Sequence, residues 1–315
     1  MPELTVAGRQ WTVAPGSNLL DALNQSGVPV PYSCRAGSCH ACLVQCSGGD
    51  VRDARPDALS PTQRDQGWRL ACQCQVVEDV QIHTFDPQRD GQAAQVVAAD
   101  WLGPDVLRLR VTPERALRYQ AGQHLVLWLG DVARPYSLAS LPEEDRFLEF
   151  HLDCRQPGQF IDRARSLNVG DPIRLGELRG GALHYDPAWH DRPLWLLAAG
   201  TGLGPLFGIL REALRQQHRG PIHLVHVAHE ASGHYLGKPL AALAAKYPQL
   251  SVQLLTSLEA PSALAQLRLA SRQTQALACG HPERVEAFAK RLYLAGLPRN
   301  QLLADVFLTR EDGGG

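Results

Sequence analysis

Four cysteines carry the first chemistry in this chain. Cys34, Cys39 and Cys42 stand in the run Cys-Arg-Ala-Gly-Ser-Cys-His-Ala-Cys, and a fourth follows some thirty positions on, at Cys72 or Cys74. The spacing C-x4-C-x2-C with a distant fourth cysteine is one under which thiolates hold a [2Fe–2S] cluster. Three sulfurs must converge from one tight loop, so that loop has to be short and permissive. Gly37 relieves the sterics there, and Ala36, Ser38 and Ala41 are small enough for amides to approach the sulfurs. A structural zinc site would pair one C-x2-4-C knuckle with a second, which this sequence does not supply. A disulfide framework would need an oxidising compartment, for which the chain shows no signal. His40 sits inside the loop; with four thiolates to hand, it reads as a solvent-facing side chain rather than a ligand.

Two further strings have chemical content. In Arg134-Pro-Tyr136-Ser137 the arginine offers a fork for a pyrophosphate, the tyrosine can cover a planar ring, and the serine hydroxyl can reach a ring nitrogen. Gly200-Thr201-Gly202-Leu-Gly204-Pro205 follows a buried apolar strand and opens a helix, so its amides and the helix dipole can face a phosphate. It is not G-x-G-x-x-G, because Pro205 stands where that motif has its last glycine. Cys279-Gly280-His-Pro282 closes a later strand.

The elements that position these residues divide the chain in three. Residues 1–88 read as a compact unit: a hairpin around Gly8, a helix capped by Ser17 with Leu19, Leu20 and Leu23 on its apolar face, then the cysteine loop. A strand near Leu43 to Cys46, a short helix after Ser60-Pro61, and strands at Trp68 to Gln73 and Val80 to His83 complete it. The polar segment Phe85 to Gln92 reads as a linker. From 93 to 190 the pattern alternates with a period of two, at Val106 to Val111, His124 to Leu129 and Phe147 to Asp153, which predicts an antiparallel barrel. From 191 to 315 strands and helices alternate, which predicts a parallel sheet. Strands are read at Leu194 to Ala199, Ile222 to Val227, Val252 to Leu255 and Ala276 to Ala278. Helices are read at Leu206 to His218 (stopping at Gly220), Leu240 to Lys246, Ala263 to Ala270 and Pro282 to Ala295. Only the Gly313-Gly-Gly315 tail has low complexity.

Composition narrows the classes of function. The 315 residues suffice for two or three cores, and a net charge of −1 leaves no basic footprint for nucleic acid. No apolar run approaches membrane-spanning length and the N-terminus lacks signal-peptide character, so a cytoplasmic, membrane-free protein is expected. Residues 1–88 hold nine acids against six arginines, a mildly acidic surface that can steer a basic partner.

Together these strings resemble one family. Leu70-Ala-Cys72-Gln is similar to the fourth-ligand sequence of plant-type ferredoxins, which implies Cys72, and the order of elements around it resembles a β-grasp ferredoxin domain. Ala121-Gly-Gln123 with Arg134-Pro-Tyr136-Ser137 resembles the flavin motif of the ferredoxin–NADP reductase superfamily. The resemblance implies FAD, with Arg134 on its pyrophosphate, Tyr136 against the isoalloxazine and Ser137 at N5. Pro157-Gly158-Gln-Phe160 resembles the stretch that wraps the flavin phosphates, although Ile161 replaces the usual Ser or Thr. Gly176 to Gly180 likewise replaces a Gly-Pro-x-Gly turn. Gly200, Thr201, Gly202, Gly204 and Pro205 match the family's nucleotide loop, Cys279 and Gly280 its nicotinamide-side cysteine turn, and Asp305-Val-Phe307 its closing acidic-x-Phe. Glu230, just past the second strand of the last unit, suits a free ribose 2′-hydroxyl and so NADH over NADPH. The order of domains resembles reductase components of bacterial ring-hydroxylating dioxygenases and soluble monooxygenases. That implies an NADH-dependent reductase with a terminal oxygenase as partner, and Ser137 and Cys279 at the site of hydride transfer. The alternatives are the same electron chain serving a non-oxygenase such as a deoxysugar dehydratase, or a redox sensor without turnover.

Overall fold

The computed structural model of the chain describes residues 1–180 and 182–308; the glycine tail read at 313–315 lies outside them. Three units follow one another along the chain, each built on a sheet of five or six strands, and the first also holds a small three-stranded sheet of Ser17–Asn18, Cys74–Val76 and Val51–Asp53. In the first unit, strands Glu3–Val6 and Arg9–Thr12 form a hairpin whose turn residues Ala7 and Gly8 both have positive φ (50° and 77°), matching the twist of the strands. A five-stranded sheet runs in the order Arg9–Thr12, Glu3–Val6, Val80–Thr84, Leu43–Gly48, Trp68–Leu70. The helix Leu19–Gln25 covers it, burying Leu19, Leu20 and Leu23. Its cap is Asn18, whose side chain accepts the Asp21 N–H at 3.3 Å, and not Ser17, which is drawn away into a bond with the Ala14 carbonyl. The helix Pro61–Asp65 carries a full capping box, Ser60 and Gln63 satisfying each other's backbone. The strand expected to run on to Gln73 stops at Leu70, because Ala71–Gln73 turns as a 3-10 helix to bring Cys72 under the loop.

The second unit is a six-stranded antiparallel sheet in the order Val132–Ser137, His124–Leu129, Pro172–Arg179, Gln92–Trp101, Val106–Pro113, Leu148–Asp153. It curls so that its ends meet: the Ala139 amide bonds the Glu149 carbonyl at 2.9 Å. Inward-facing Leu107, Leu109, Leu125, Leu127, Phe150 and Leu152 fill the curl. The segment read as a linker is ordered instead. Phe85 stacks on Trp128 of the barrel, with centroids 5.3 Å apart, Asp90 ties back to the Asp86 amide, and the next strand already starts at Gln92.

The third unit has five parallel strands in the order Leu250–Thr256, Ile222–Ala228, Leu194–Ala199, Gln275–Gly280, Leu302–Val306. Helices Leu203–Arg215, Gly237–Lys246, Ala260–Ala265 and Pro282–Leu294 connect and cover them. The first of these begins and ends three residues earlier than its periodicity suggests. Gln217, in the left-handed region at φ 59°, ends it, so Gly220 is not the stop. The edge strand Leu302–Val306 has no clear alternation and shows in the sequence only as the Asp-Val-Phe string.

Candidate functional site

The cysteine loop bends through left-handed backbone at Arg35 (φ 49°), Gly37 (φ 76°) and His40 (φ 56°). Two of these residues carry side chains, a strain of order 1 kcal/mol or more each that the surroundings must hold. Arg35 is clamped by both carboxylate oxygens of Asp21 at 2.6 Å, and Gln73 Nε2 donates to the Arg35 carbonyl at 2.8 Å. The bend turns amides onto sulfur: Ala36 and Cys39 N–H each donate to Cys34 Sγ at 3.3 Å, and Gln73 Nε2 donates to Cys72 Sγ at 3.3 Å.

The four thiols fall into two hydrogen-bonded pairs, Cys34 with Cys39 and Cys42 with Cys72. The Cys39 thiol lowers its partner Cys34, and the Cys42 thiol lowers Cys72. Two sulfur pairs with amides directed at them suit a two-iron cluster. Cys74 is fully buried in the apolar core of this unit, and burial raises its thiol.

The loop does not face solvent. His40, read as exposed, is 6% exposed, and its Nδ1 lies 3.5 Å from Glu177 Oε2 of the barrel strand Pro172–Arg179. Glu177 also receives Gln63 and Arg179, and Arg179 donates to Gln63 Oε1 at 3.0 Å. Burial alone would raise the Glu177 carboxyl, but His40 and Arg179 outweigh it and lower it. Beside this polar cluster Cys39 and Ala41 pack on Val126, Trp128 and Ala133. No local pattern in the sequence marks this contact, since its partners lie more than eighty positions apart.

The same barrel hairpin carries the Arg-x-Tyr-Ser string. Cross-strand register pairs His124 with Ser137, Val126 with Pro135 and Trp128 with Ala133, so these six share one face. Ser137 therefore lies on the face against which Cys39 packs. Arg134 and Tyr136 lie on the other, where Tyr136 meets Phe160 at 5.2 Å between centroids. His124 bonds the Ser38 backbone of the cysteine loop, and burial pushes its imidazole down to about 4, so it is neutral. Gly158 precedes the helix Gln159–Ala164, whose Ile161 packs against the barrel core and offers no hydroxyl. A half-exposed strand bearing a guanidinium, a ring and a hydroxyl, flanked by that glycine turn, fits a flavin nucleotide.

Gly200–Gly202 turn as a 3-10 helix into Leu203–Arg215, whose first turn holds Gly204 and Pro205. This turn lies against the Cys279–Gly280 strand end so closely that a Cβ on Gly202 would sit 2.3 Å from the Cys279 carbonyl. Cys279 is wholly buried, and burial pushes its thiol well up, so it is a neutral group and not a thiolate. In register beside it stands Asp305, whose carboxyl burial raises to about 6. Phe307 N–H donates to the Gly280 carbonyl at 2.9 Å, and Ser33, next to Cys34, donates its hydroxyl to the Leu308 carbonyl at 2.9 Å. Cysteine loop, flavin string and Cys279 turn thus converge. Glu230 is exposed just past the strand Ile222–Ala228.

The 2Fe-2S iron-sulfur cluster binding domain matches residues 4–77, and the oxidoreductase NAD-binding domain matches residues 196–291. The chain is 31% identical to the ferredoxin–NAD(P)(+) reductase component of naphthalene 1,2-dioxygenase/salicylate 5-hydroxylase systems from Ralstonia sp., over 93% of this chain and 94% of that one. It is 30% identical to the terephthalate 1,2-dioxygenase reductase component 2 of Comamonas sp., over 95% of each. Among solved structures, the Amycolatopsis cytochrome P450 reductase GcoB superposes with a TM-score of 0.64 at 26% identity, covering 98% of this chain and 99% of that one. No helix among the described residues is long and apolar enough to cross a membrane. The chain therefore belongs to the family of ferredoxin–NAD(P)+ reductase components of oxygenase systems, flavoproteins that carry electrons from NAD(P)H through FAD and a [2Fe–2S] cluster.

Proposed function

We propose that the chain oxidises NADH and supplies single electrons to a terminal oxygenase in the cytoplasm. A ferredoxin domain at 1–88, a flavin barrel at 93–190 and a nicotinamide domain from 191 do the work. The observation that carries this reading is the convergence of the three units on one place: Cys39 against the barrel hairpin, Ser137 on that same face, and Ser33 bonded to the residue after Phe307. A bound flavin accepts an electron pair from the nicotinamide and releases electrons one at a time, which an iron–sulfur cluster requires.

This chain's residues supply the positioning. Cys34, Cys39, Cys42 and Cys72 hold the cluster, and the Ala36, Cys39 and Gln73 N–H groups stabilise charge on its sulfurs. Arg134 would neutralise the FAD pyrophosphate, Tyr136 would cover the ring and Ser137 would donate to its N5; Ile161 has no donor, so one phosphate contact near Gly158 would come from a backbone amide or be absent. Gly200, Thr201, Gly202, Gly204 and Pro205 present amides to the dinucleotide pyrophosphate. Cys279, Gly280 and Phe307 form the wall of the nicotinamide pocket. As a neutral thiol, Cys279 fills space beside the reacting carbon without acting as a base. Glu230 accepts from the adenosine ribose and repels a 2′-phosphate. Eight free cysteines suit a reducing compartment.

Cys39→Ser tests the route. Reduction of flavin by NADH, read with ferricyanide, should persist while reduction of cytochrome c is lost; undiminished cytochrome c reduction would refute the pathway through the cluster.

A further inference from the structure

A buried pair of histidines lies beneath the nucleotide loop. His226, in the middle of the strand Ile222–Ala228, has no exposed surface, and its Nε2 lies 3.1 Å from the Gly200 carbonyl oxygen. Its Nδ1 lies 3.2 Å from Nδ1 of His234, which follows the short Ala231–Gly233 turn just past Glu230. The chemistry of the partners fixes every proton. A carbonyl can only accept, so His226 Nε2 carries the hydrogen. Burial pushes His226 down to about 4, so the ring is neutral and its Nδ1 is a lone pair. His234 Nδ1 must then be the donor. The result is a directed chain from His234 through His226 to Gly200.

The Gly200 carbonyl also accepts the Leu203 N–H. Two donors thus hold this oxygen inward. The Gly200–Thr201 peptide is planar and trans, so pinning its carbonyl inward aims the Thr201 N–H the opposite way, toward the mouth of the loop. Gly200 has φ 55° and open space around its Cα, with the nearest atom to a Cβ, from Arg155, 3.9 Å off. A glycine at one end gives this peptide the backbone freedom to turn over, and a flipped peptide would present a carbonyl dipole to a phosphate.

We infer that His226 is a positioning residue of the nucleotide site: its Nε2–H locks the Gly200–Thr201 peptide with the amide facing the dinucleotide pyrophosphate, and His234 ties that lock to the segment after Glu230 that meets the adenosine ribose. The inference rests on reading Gly200–Pro205 as the pyrophosphate loop. It deepens that reading by joining the two halves of the nucleotide site through the sheet.

The test is calorimetric binding of ADP-ribose, which carries the pyrophosphate and both riboses but no nicotinamide, to the holoenzyme and four variants. His226→Phe should bind roughly five- to tenfold more weakly, the effect of losing one buried hydrogen bond. His226→Gln places an amide N–H near the Nε2 position and should stay within about twofold of the parent, an estimate from the same hydrogen-bond term. His226→Asn, whose amide reaches only the Nδ1 position, should bind as weakly as the phenylalanine variant. If the phenylalanine variant does not fold, the Gln and Asn pair decides, because both keep the same polar group. Gly202→Ala reports on the loop itself and should lose binding. If Gly202→Ala binds as the parent does, the loop reading falls. If it loses affinity while the Asn or Phe variant keeps the parent's, the loop stands and the role of His226 is overturned.

Discussion

Replacing Gly202 with alanine should drive a wedge between the nucleotide loop and the strand end that bears Cys279. An ideal Cβ at this position would stand 2.3 Å from the Cys279 oxygen, 2.4 Å from its carbonyl carbon and 2.7 Å from the Gly280 nitrogen, all of them backbone. No side-chain rotation relieves such a contact. Restoring an ordinary separation moves the two segments apart by about 1 Å, and a displacement of that size in a positioning element costs on the order of 10²-fold in rate. Gly280 allows no compensating slide: it sits at φ 137° with its own Cα facing the Ala199 oxygen, which a Cβ would meet at 2.5 Å. The assay is the steady-state KM for NADH with ferricyanide as acceptor, alongside the flavin-to-protein ratio and the midpoint of thermal unfolding. KM should rise at least tenfold, by the same positional argument, with flavin content unchanged, because the barrel is untouched. The reasoning is refuted if Gly202→Ala keeps the parent KM and kcat while folded, since close approach of backbone would then have no bearing on the nucleotide. Gly200→Ala is the internal contrast. It meets no neighbour within 3.9 Å and should cost only the order of 1 kcal/mol that alanine loses at positive φ.

Trp128→Ala removes the platform for Phe85 and for the Cys39–Ala41 stretch, a core-sized deletion of about 3–5 kcal/mol, so cytochrome c reduction should fall by more than ferricyanide reduction; parallel loss of both would show that docking is not what Trp128 supports. NADPH should turn over much more slowly than NADH at equal concentration, and Glu230→Gln should narrow the gap; equal rates in the parent would remove Glu230 from the nucleotide site. Glu149 gives the pH dependence. Burial alone would raise its carboxyl, but His151 at 2.9 Å and Arg110 outweigh that and hold it at about 2, against an ordinary 4.5. A depressed carboxyl stabilises the fold above its unfolded value, and that stability is lost as pH falls from about 4.5 toward 2. The parent should therefore exceed Glu149→Gln in unfolding free energy by on the order of 3 kcal/mol at neutral pH, with the difference shrinking below pH 4; a pH-independent difference would be the contrary result.

The parts legible in the sequence are those where chemistry demands fixed local spacing. Cys34, Cys39 and Cys42 lie in a nine-residue run because their sulfurs must meet, and the strand Leu194–Ala199 with its glycine turn is readable because a buried parallel strand is apolar throughout. Domain order followed from runs of period-two pattern giving way to strand–helix alternation. What was not legible is the contact between units. His40 reads as surface because nothing near it says that Glu177 and Gln63 lie across from it, and Phe85 reads as linker because its stacking partner is Trp128. The strand Leu302–Val306 carries no strand pattern in the sequence because only one side of an edge strand is paired and its burial does not alternate. His226 and His234 were invisible for a related reason: a histidine in a Val- and Leu-rich strand looks like a core substitution until the carbonyl that it serves is located in space.

The barrel hairpin His124–Leu129 and Val132–Ser137 shows how period two joins these separate functions. One face presents Arg134 and Tyr136 toward the barrel and the helix Gln159–Ala164; the other presents Ser137 with Val126, Trp128 and Ala133 toward the cysteine loop. A slip of one residue would exchange the two faces, sending Tyr136 to the docking surface and Trp128 into the barrel. Such a slip would expose the Leu125, Leu127 and Leu129 side chains that fill the curl, each worth about 1.5–3 kcal/mol when buried. The register is therefore held by the hydrophobic core, far from any cofactor. Because the same register places Ser137 on the side where Cys39 packs, the packing of three leucines sets which face of the sheet meets the cysteine loop.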